Sequence, residues 1–314
     1  MKARGTSAPR QRGSAFEKAW SEMGPSGAAP ATVSGRWLLG ALAAALVGAA
    51  LCCWGVLCLL FWQGSWQLLY HPRAAVTRTP ASVGLKFEPV SFGPDETGHT
   101  RLTGWWIAAE ADAGRGDLTV LYLHGERGNL GDTVDAIAEL HSIGANVLAF
   151  DYRGYGPSQF ARPSEQSWRE DADAALQYLT GTRQIAANAI VLDGEELGAD
   201  LAVEVAAAHA ELAGVIADEP MRDPANVIYE DARARLVPVR WLVKDRYDMN
   251  AAAAGLRVPL LWFAREDASR SGAEPEAFKR VESRKMLVWI GSRADEKTEF
   301  SGAVARWLGD LAKP

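Results

Sequence analysis

Residues 189–200, AIVLDGEELGAD, join the apolar run Ile190 to Leu192 to the helically spaced Leu197, Leu201, Ala202 and Val205. Gly194 and Gly198 stand two residues before and two after Glu196. That spacing lets a strand turn sharply into a helix while the central side chain stands clear of the sheet. A hydroxyl or thiol there would be a nucleophile, given an imidazole to take its proton and an acid to orient the imidazole. Here the centre is a carboxylate. A carboxylate can attack and form an ester, but release then needs a water activated by a base.

The partners are scarce. The histidines are His71, His99, His124, His141 and His209, so none follows residue 209. Between Ser167 and Ser269 there is neither serine nor cysteine, and Thr180 and Thr182 precede the elbow strand. Cys52, Cys53 and Cys58 all lie in a segment free of charge from Trp37 to Trp62. At about 1.5 Å per residue that segment exceeds the roughly 30 Å of bilayer hydrocarbon, which predicts one transmembrane helix over residues 36–63. Its length and uniform apolarity disfavour a core helix, and a secretory signal would have a shorter apolar region. Lys2, Arg4, Arg10, Arg12, Lys18 and Arg36 precede it against Glu17 and Glu22. By the positive-inside rule the N-terminus is then cytoplasmic and the remaining chain lies on the periplasmic or extracellular side.

Residues 1–35, rich in Gly, Ala, Pro, Ser and basic side chains, read as a disordered basic tail. Residues 64–314 read as one domain. The net charge is −6, and setting aside the +4 of residues 1–62 leaves −10 for the rest, without the basic patch that nucleic-acid binding would require. Expected strands are Phe87–Phe92 and Leu102–Ala108 as an antiparallel pair, then Leu118–Leu123, Asn146–Tyr152, Ile190–Leu192, Gly214–Ala217, Pro259–Phe263 and Lys285–Ile290. Helices are expected from Thr133 to Ser142, from a Ser164 cap to Leu179 with Trp168, Ala172, Ala175 and Leu176 inward, after the elbow, and from Phe300 to Leu311. A short helical insertion or cap spans residues 225–254. Alternating strands and helices make a mainly parallel sheet covered on both faces, an α/β class.

Four stretches now carry a resemblance: LLYHP at Leu68–Pro72, LHGxxGN at Leu123–Asn129, FDYRGYGxS at Phe150–Ser158 and GxxLG at Gly194–Gly198. In this order, over roughly residues 66–312, they resemble the membrane-anchored α/β-hydrolases of the abhydrolase-domain type, serine hydrolases behind one N-terminal span. The resemblance implies the α/β-hydrolase fold, with His124 and Ser158 as structural loop residues. It implies an oxyanion hole from the amides of Glu126 and Leu197. It places the triad acid at Asp267, after PLLWF and Ala264-Arg265-Glu266. The histidine belongs in the loop after the last strand, where register puts Ala294, with Arg293 or Asp295 if the loop shifts by one. None of these is a base near neutral pH.

With the nucleophile position held by Glu196 and the histidine position by Ala294, the triad is degenerate. The expectation is a single-pass membrane protein whose domain binds or scaffolds, with a small molecule or lipid as possible ligand and no assigned protein partner. The alternative is an active hydrolase of a lipid, ester or amide, working through Glu196 or a metal. Glu196, Asp267 and Asp295 are the candidate cation ligands, but their scatter over separate loops lacks a metal site's spacing, so no metal or cofactor is expected. A salt bridge from Glu196 to Arg293 or Arg265 is the plainer use of that carboxylate.

Overall fold

A strand covered on both faces has no polar side to show, and the continuous apolar runs of this chain accordingly fill the middle of a sheet. The computed structural model describes residues 17–19, 22, 24, 33–110, 117–221, 223–265, 274–291 and 296–311. The chain divides into two compact units, residues 1–55 and 56–314. The apolar helix α1 runs over Gly35–Gly64, with a mean hydropathy of 2.4 in its most apolar window. It is long and apolar enough to cross a membrane. Its last turns, from Val56, belong to the second unit, where Phe61 is 7% exposed and packs in the main core cluster.

In the second unit a one-turn helix α2 (Trp66–Leu69) leads to β1 (His71–Pro72). The antiparallel pair β2 (Glu88–Pro94) and β3 (Thr100–Ile107) follows. Then come β4 (Thr119–Leu123), β5 (Arg127–Gly128), α3 (Val134–Ser142), β6 (Asn146–Asp151), α4 (Glu165–Gln177), β7 (Ile190–Glu195) and α5 (Leu197–Ala208). Beyond β8 (Gly214–Asp218) lie α6 (Pro224–Tyr229), α7 (Val239–Leu242) and α8 (Met249–Gly255). The chain closes with β9 (Leu260–Arg265), α9 (Glu276–Arg280), β10 (Lys285–Ile290) and α10 (Glu296–Leu311). The eight-stranded sheet runs β10-β9-β8-β7-β4-β6-β3-β2, parallel from β10 to β6. β3 joins β6 antiparallel, and β1 pairs with β5 in a separate two-residue ladder.

Side chains alternate across each strand, so neighbours serve different cores. Leu121, Leu123, Ile190 and Leu192 pack with α4 and α5 on one face, whereas Val120 and Tyr122 meet α3 and Val191 meets α10 on the other. Trp168, Ala172, Ala175 and Leu176 are all buried, as the spacing in α4 requires, and Ser164 caps that helix reciprocally with Ser167. Two helix boundaries differ from the expected ones. The α4 hydrogen bonding gives way after Gln177 to a single π-turn over Tyr178–Thr182, and α10 begins at Glu296, where polar residues make its first turn before the apolar stripe starts at Phe300.

Candidate active site

β7 ends at Glu195 and α5 begins at Leu197, so the chain must reverse within Glu196. It does so at φ 50°, ψ −119°, a backbone region a β-carbon strains and a non-glycine residue holds only when its surroundings fix it. The Glu196 amide donates to the Asp218 carbonyl of β8 at 2.9 Å, and its carbonyl accepts from Ala199 at 3.0 Å. The flanking glycines are compulsory. A β-carbon on Gly194 would lie 2.1 Å from the Gly198 carbonyl oxygen, and one on Gly198 would lie 2.1 Å from that of Leu123, at the end of β4. The turn is thus wedged against the loop that leaves β4.

That loop carries the second half of the site. The Glu196 side chain is exposed, but its Oε2 lies 3.0 Å from where a β-carbon on Gly125 would be. Next to Gly125, Glu126 is 3% exposed. Its Oε1 accepts from Arg127 Nε at 3.0 Å, while Oε2 is buried with no hydrogen-bond donor among the described residues. Glu196 is the neighbour able to supply a donor there, and only when it carries a proton. Desolvation, then the charges of Glu126 and Glu195, push the Glu196 carboxyl up to about 7; Arg127 pulls the other way. A hydrogen bond toward Glu126 adds to the rise.

The neighbouring carboxyls are largely buried. Glu195, raised chiefly by burial, accepts from the Tyr122 hydroxyl at 2.5 Å. Burial and then Glu195 push Asp193 to about 8, and the fully buried Asp200 is raised well above the carboxylate range while accepting from the Met221 amide at 2.9 Å. The Glu196 carboxyl therefore keeps its proton in part at neutral pH. The elbow presents no hydroxyl or thiol nucleophile.

His124 and His209 are not placed as bases for this turn. His124 is buried among Tyr152, Tyr155 and Trp168, and burial lowers it to about 4. Its Nδ1 lies 2.7 Å from the Gly125 carbonyl, which makes it the protonated nitrogen and leaves Nε2 3.6 Å from Asp151, itself raised to about 7 by burial. His209 closes the far end of α5, about 18 Å along that helix from the elbow, and pairs with Asp173 and Glu211. Ser158 is committed: its Oγ donates to the Asp151 carbonyl at 2.5 Å and accepts from the Thr103 amide at 3.0 Å.

Of the residues read from the sequence, the structure brings Glu196, Leu197 and Glu126 together. Among the described residues, the amides of Glu126 and Leu197 donate to no backbone carbonyl. Asp267, Ala294, Arg293 and Asp295 lie outside the described residues. The expected bridge from Glu196 to Arg265 is not how that guanidinium is used; it binds Glu219 by Nε at 3.0 Å and by Nη2. Arg265 is the last residue of β9, two strands from β7, whereas Glu219 follows β8 directly, so the nearer carboxylate takes it. Among the described residues no group of three or more His, Cys, Asp or Glu could hold a metal ion. The Glu126 carboxyl is the residue sequence reasoning missed, having been weighed for its amide alone; an acidic residue directly after the His124-Gly125 pair was the signal.

Three comparisons bear on this geometry. The profile of the Hydrolase_4 family, described as serine aminopeptidase S33, matches residues 115–282. The uncharacterized protein Rv2307c of Mycobacterium tuberculosis is 32% identical over 212 residues, 66% of this chain and 70% of that protein. Human alpha/beta hydrolase domain-containing protein 17C is 34% identical over 116 residues, 37% of this chain and 35% of that one. Among solved structures, the Pyrococcus furiosus esterase PF2001 superposes with a TM-score of 0.59 at 20% identity, over 77% of this chain and 98% of its own. A Vibrio vulnificus alpha-beta hydrolase gives 0.55 at 19%, over 74% and 82%. At such identity these two share the fold alone.

Proposed function

The chain belongs to the serine aminopeptidase S33 family of α/β-hydrolases, and from that premise we propose that it is a membrane-anchored member whose domain binds a ligand without hydrolysing it. The observation that carries this reading is the elbow itself: its strained backbone is kept at φ 50°, but the side chain it presents is a carboxyl facing Glu126. Serine hydrolysis needs an oxygen that can bond to a carbonyl carbon and a base that ferries its proton. Glu196 supplies the first poorly, because Glu126 and Glu195 favour its protonated, non-nucleophilic form. For the second, register assigns Ala294, which has no base. An ester formed on Glu196 would lack the imidazole that the triad's histidine position supplies to activate the water that clears it.

What the turn keeps is donor capacity. The amides of Glu126 and Leu197 suit a carbonyl or carboxyl oxygen, so the ligand in this reading is a small molecule or lipid bearing such a group. Asp267 stays in the triad's register as an acid with no histidine to orient. Helix α1 is the anchor, holding the domain beside the bilayer.

The test is direct. The full chain in detergent, offered short- and long-chain p-nitrophenyl esters and a fluorophosphonate probe, is expected to show turnover at background and no labelling at the elbow. Glu196→Ser alone should recover no activity, while Glu196→Ser with Ala294→His should recover a small rate. Robust turnover that disappears in Glu196→Gln would overturn the proposal and make Glu196 a covalent nucleophile.

A further inference from the structure

The insertion between β8 and β9, residues 219–259, carries seven Lys or Arg against six Asp or Glu, and its cations cluster in one stretch flanked by Glu230, Asp231 and Asp248. Residues 232–246 carry Arg233, Arg235, Arg240, Lys244 and Arg246 against Asp245 alone, in a chain of net charge −6. The same stretch leaves Trp241 86% exposed and Leu236 exposed as well. Large aromatic and aliphatic side chains among clustered cations are the composition of a surface that lies on an anionic bilayer. Among the described residues neither Arg235 nor Arg240 has a carboxylate partner.

Position makes the case. Leu57, Leu60, Phe61, Gly64 and Leu68 line a cavity of about 250 Å³ together with Arg233. Asp231 takes the Nε and Nη2 of that guanidinium at 2.8 and 3.0 Å, which leaves Nη1 for another acceptor. The 30 residues of α1 extend about 45 Å against roughly 30 Å of hydrocarbon, so about ten residues are shared between the two interfaces. Leu60–Gly64 therefore stand at headgroup level when α1 spans, and Arg233 stands there with them. Arg162 reaches the same level from another loop, donating to the Trp62 carbonyl at 2.9 Å, and two residues before it Phe160 is 96% exposed. The insertion is tied to this end of the chain a second time, since α6 packs on α2 directly after the span.

We propose that Phe160, Arg162, Arg233, Leu236, Arg240 and Trp241 form a second membrane contact, which binds anionic phospholipid headgroups and seats the domain on the leaflet its anchor leaves. This inference rests on the anchoring role of α1. It assigns the occupant by charge complementarity with phosphate and by continuity with the end of α1.

The full chain is reconstituted at one copy per nanodisc, in pure phosphatidylcholine and in roughly one part phosphatidylglycerol to two parts phosphatidylcholine. Backbone hydrogen exchange of residues 232–246 is measured in both, with cross-linking by a phospholipid carrying a headgroup diazirine. The expected result is slower exchange in the anionic discs and cross-links within 232–246. Arg233→Glu with Arg240→Glu removes the protection by at least the roughly five-fold that each basic side chain contributes at such a surface. Both positions are exposed, and an unchanged thermal midpoint certifies the fold. Equal exchange in the two lipids, protection that survives the double variant, or protection that needs a second copy in the disc each overturns the inference. A carbonate wash separates the layers of argument. Retention in the membrane with an unprotected insertion sinks the second contact alone, whereas extraction of the chain sinks the anchor and this inference with it.

Discussion

At the elbow one added proton decides whether two carboxyls can face each other. Glu196 is held up to about 7 by desolvation and by Glu126, Asp193 to about 8 and Asp151 to about 7 chiefly by burial. In the unfolded chain such groups release their protons near 3.8 to 4.5. Between about pH 4.5 and 8 the unfolded state thus binds fewer protons than the folded one, and stability falls as pH rises. His124, lowered to about 4 by burial, acts in the opposite sense below its ordinary 6.5, but one imidazole is outweighed by three carboxyls. Thermal melts should give a higher midpoint at pH 5 than at pH 8. Glu126→Gln removes the charge facing Glu196 and should raise the pH 8 midpoint by a few degrees, on the scale of about 2–4 °C per kcal/mol, while leaving pH 5 nearly unchanged. Equal shifts at both pH values would exclude the carboxyl pair as the cause. The sequence made one member of this pair legible, because Gly194 and Gly198 point at Glu196. It hid the other. Glu126 faces the elbow because its own carbonyl accepts from His71 at 2.9 Å and β5 pairs with β1, and a two-residue ladder leaves no periodicity to read.

Elements position the turn by crowding it. Since the β-carbons of Gly194→Ala and Gly198→Ala would each meet a backbone carbonyl at 2.1 Å, the first must move β7 away from α5 and the second α5 away from β4, and a loss of about 3 kcal/mol is expected. Glu196→Gly should do the reverse, relieving the positive φ and gaining about 1 kcal/mol in urea unfolding. A gain there means the carboxylate is carried at a cost in stability, as a residue kept for binding would be. A loss would mean the Glu196 contacts outweigh the strain and would weaken the case for a ligand. These elements were legible for a physical reason. Buried parallel strands such as Thr119–Leu123 and Leu260–Arg265 are unbroken apolar runs, and α4 displays its inner face at helical spacing. One-turn pieces such as α9, Glu276–Arg280, were not, because a single turn has too few residues to reveal a period.

For the molecule as a whole, the question is whether the apolar helix is only a tether. Phe61 argues that it is not, for although it lies within α1 it belongs to the same core cluster as Leu69, Tyr70 and Trp168. Leu59, two residues earlier, is exposed. A tether would tolerate truncation at both positions alike, whereas a helix end built into the domain distinguishes them. Phe61→Ala should cost the domain about 3 kcal/mol, toward the lower end for a buried phenylalanine because the site lies at the core's edge. Leu59→Ala should stay within about 0.5 kcal/mol, the range of a surface change. The readout is the denaturant midpoint of the full chain in nanodiscs, followed by proteolysis of the domain, with carbonate retention showing that both variants remain anchored. Were the two truncations to behave alike, α1 would be mechanically separate from the fold it precedes. The headgroup-level placement of Arg233, which depends on that rigid end, would then lose its support.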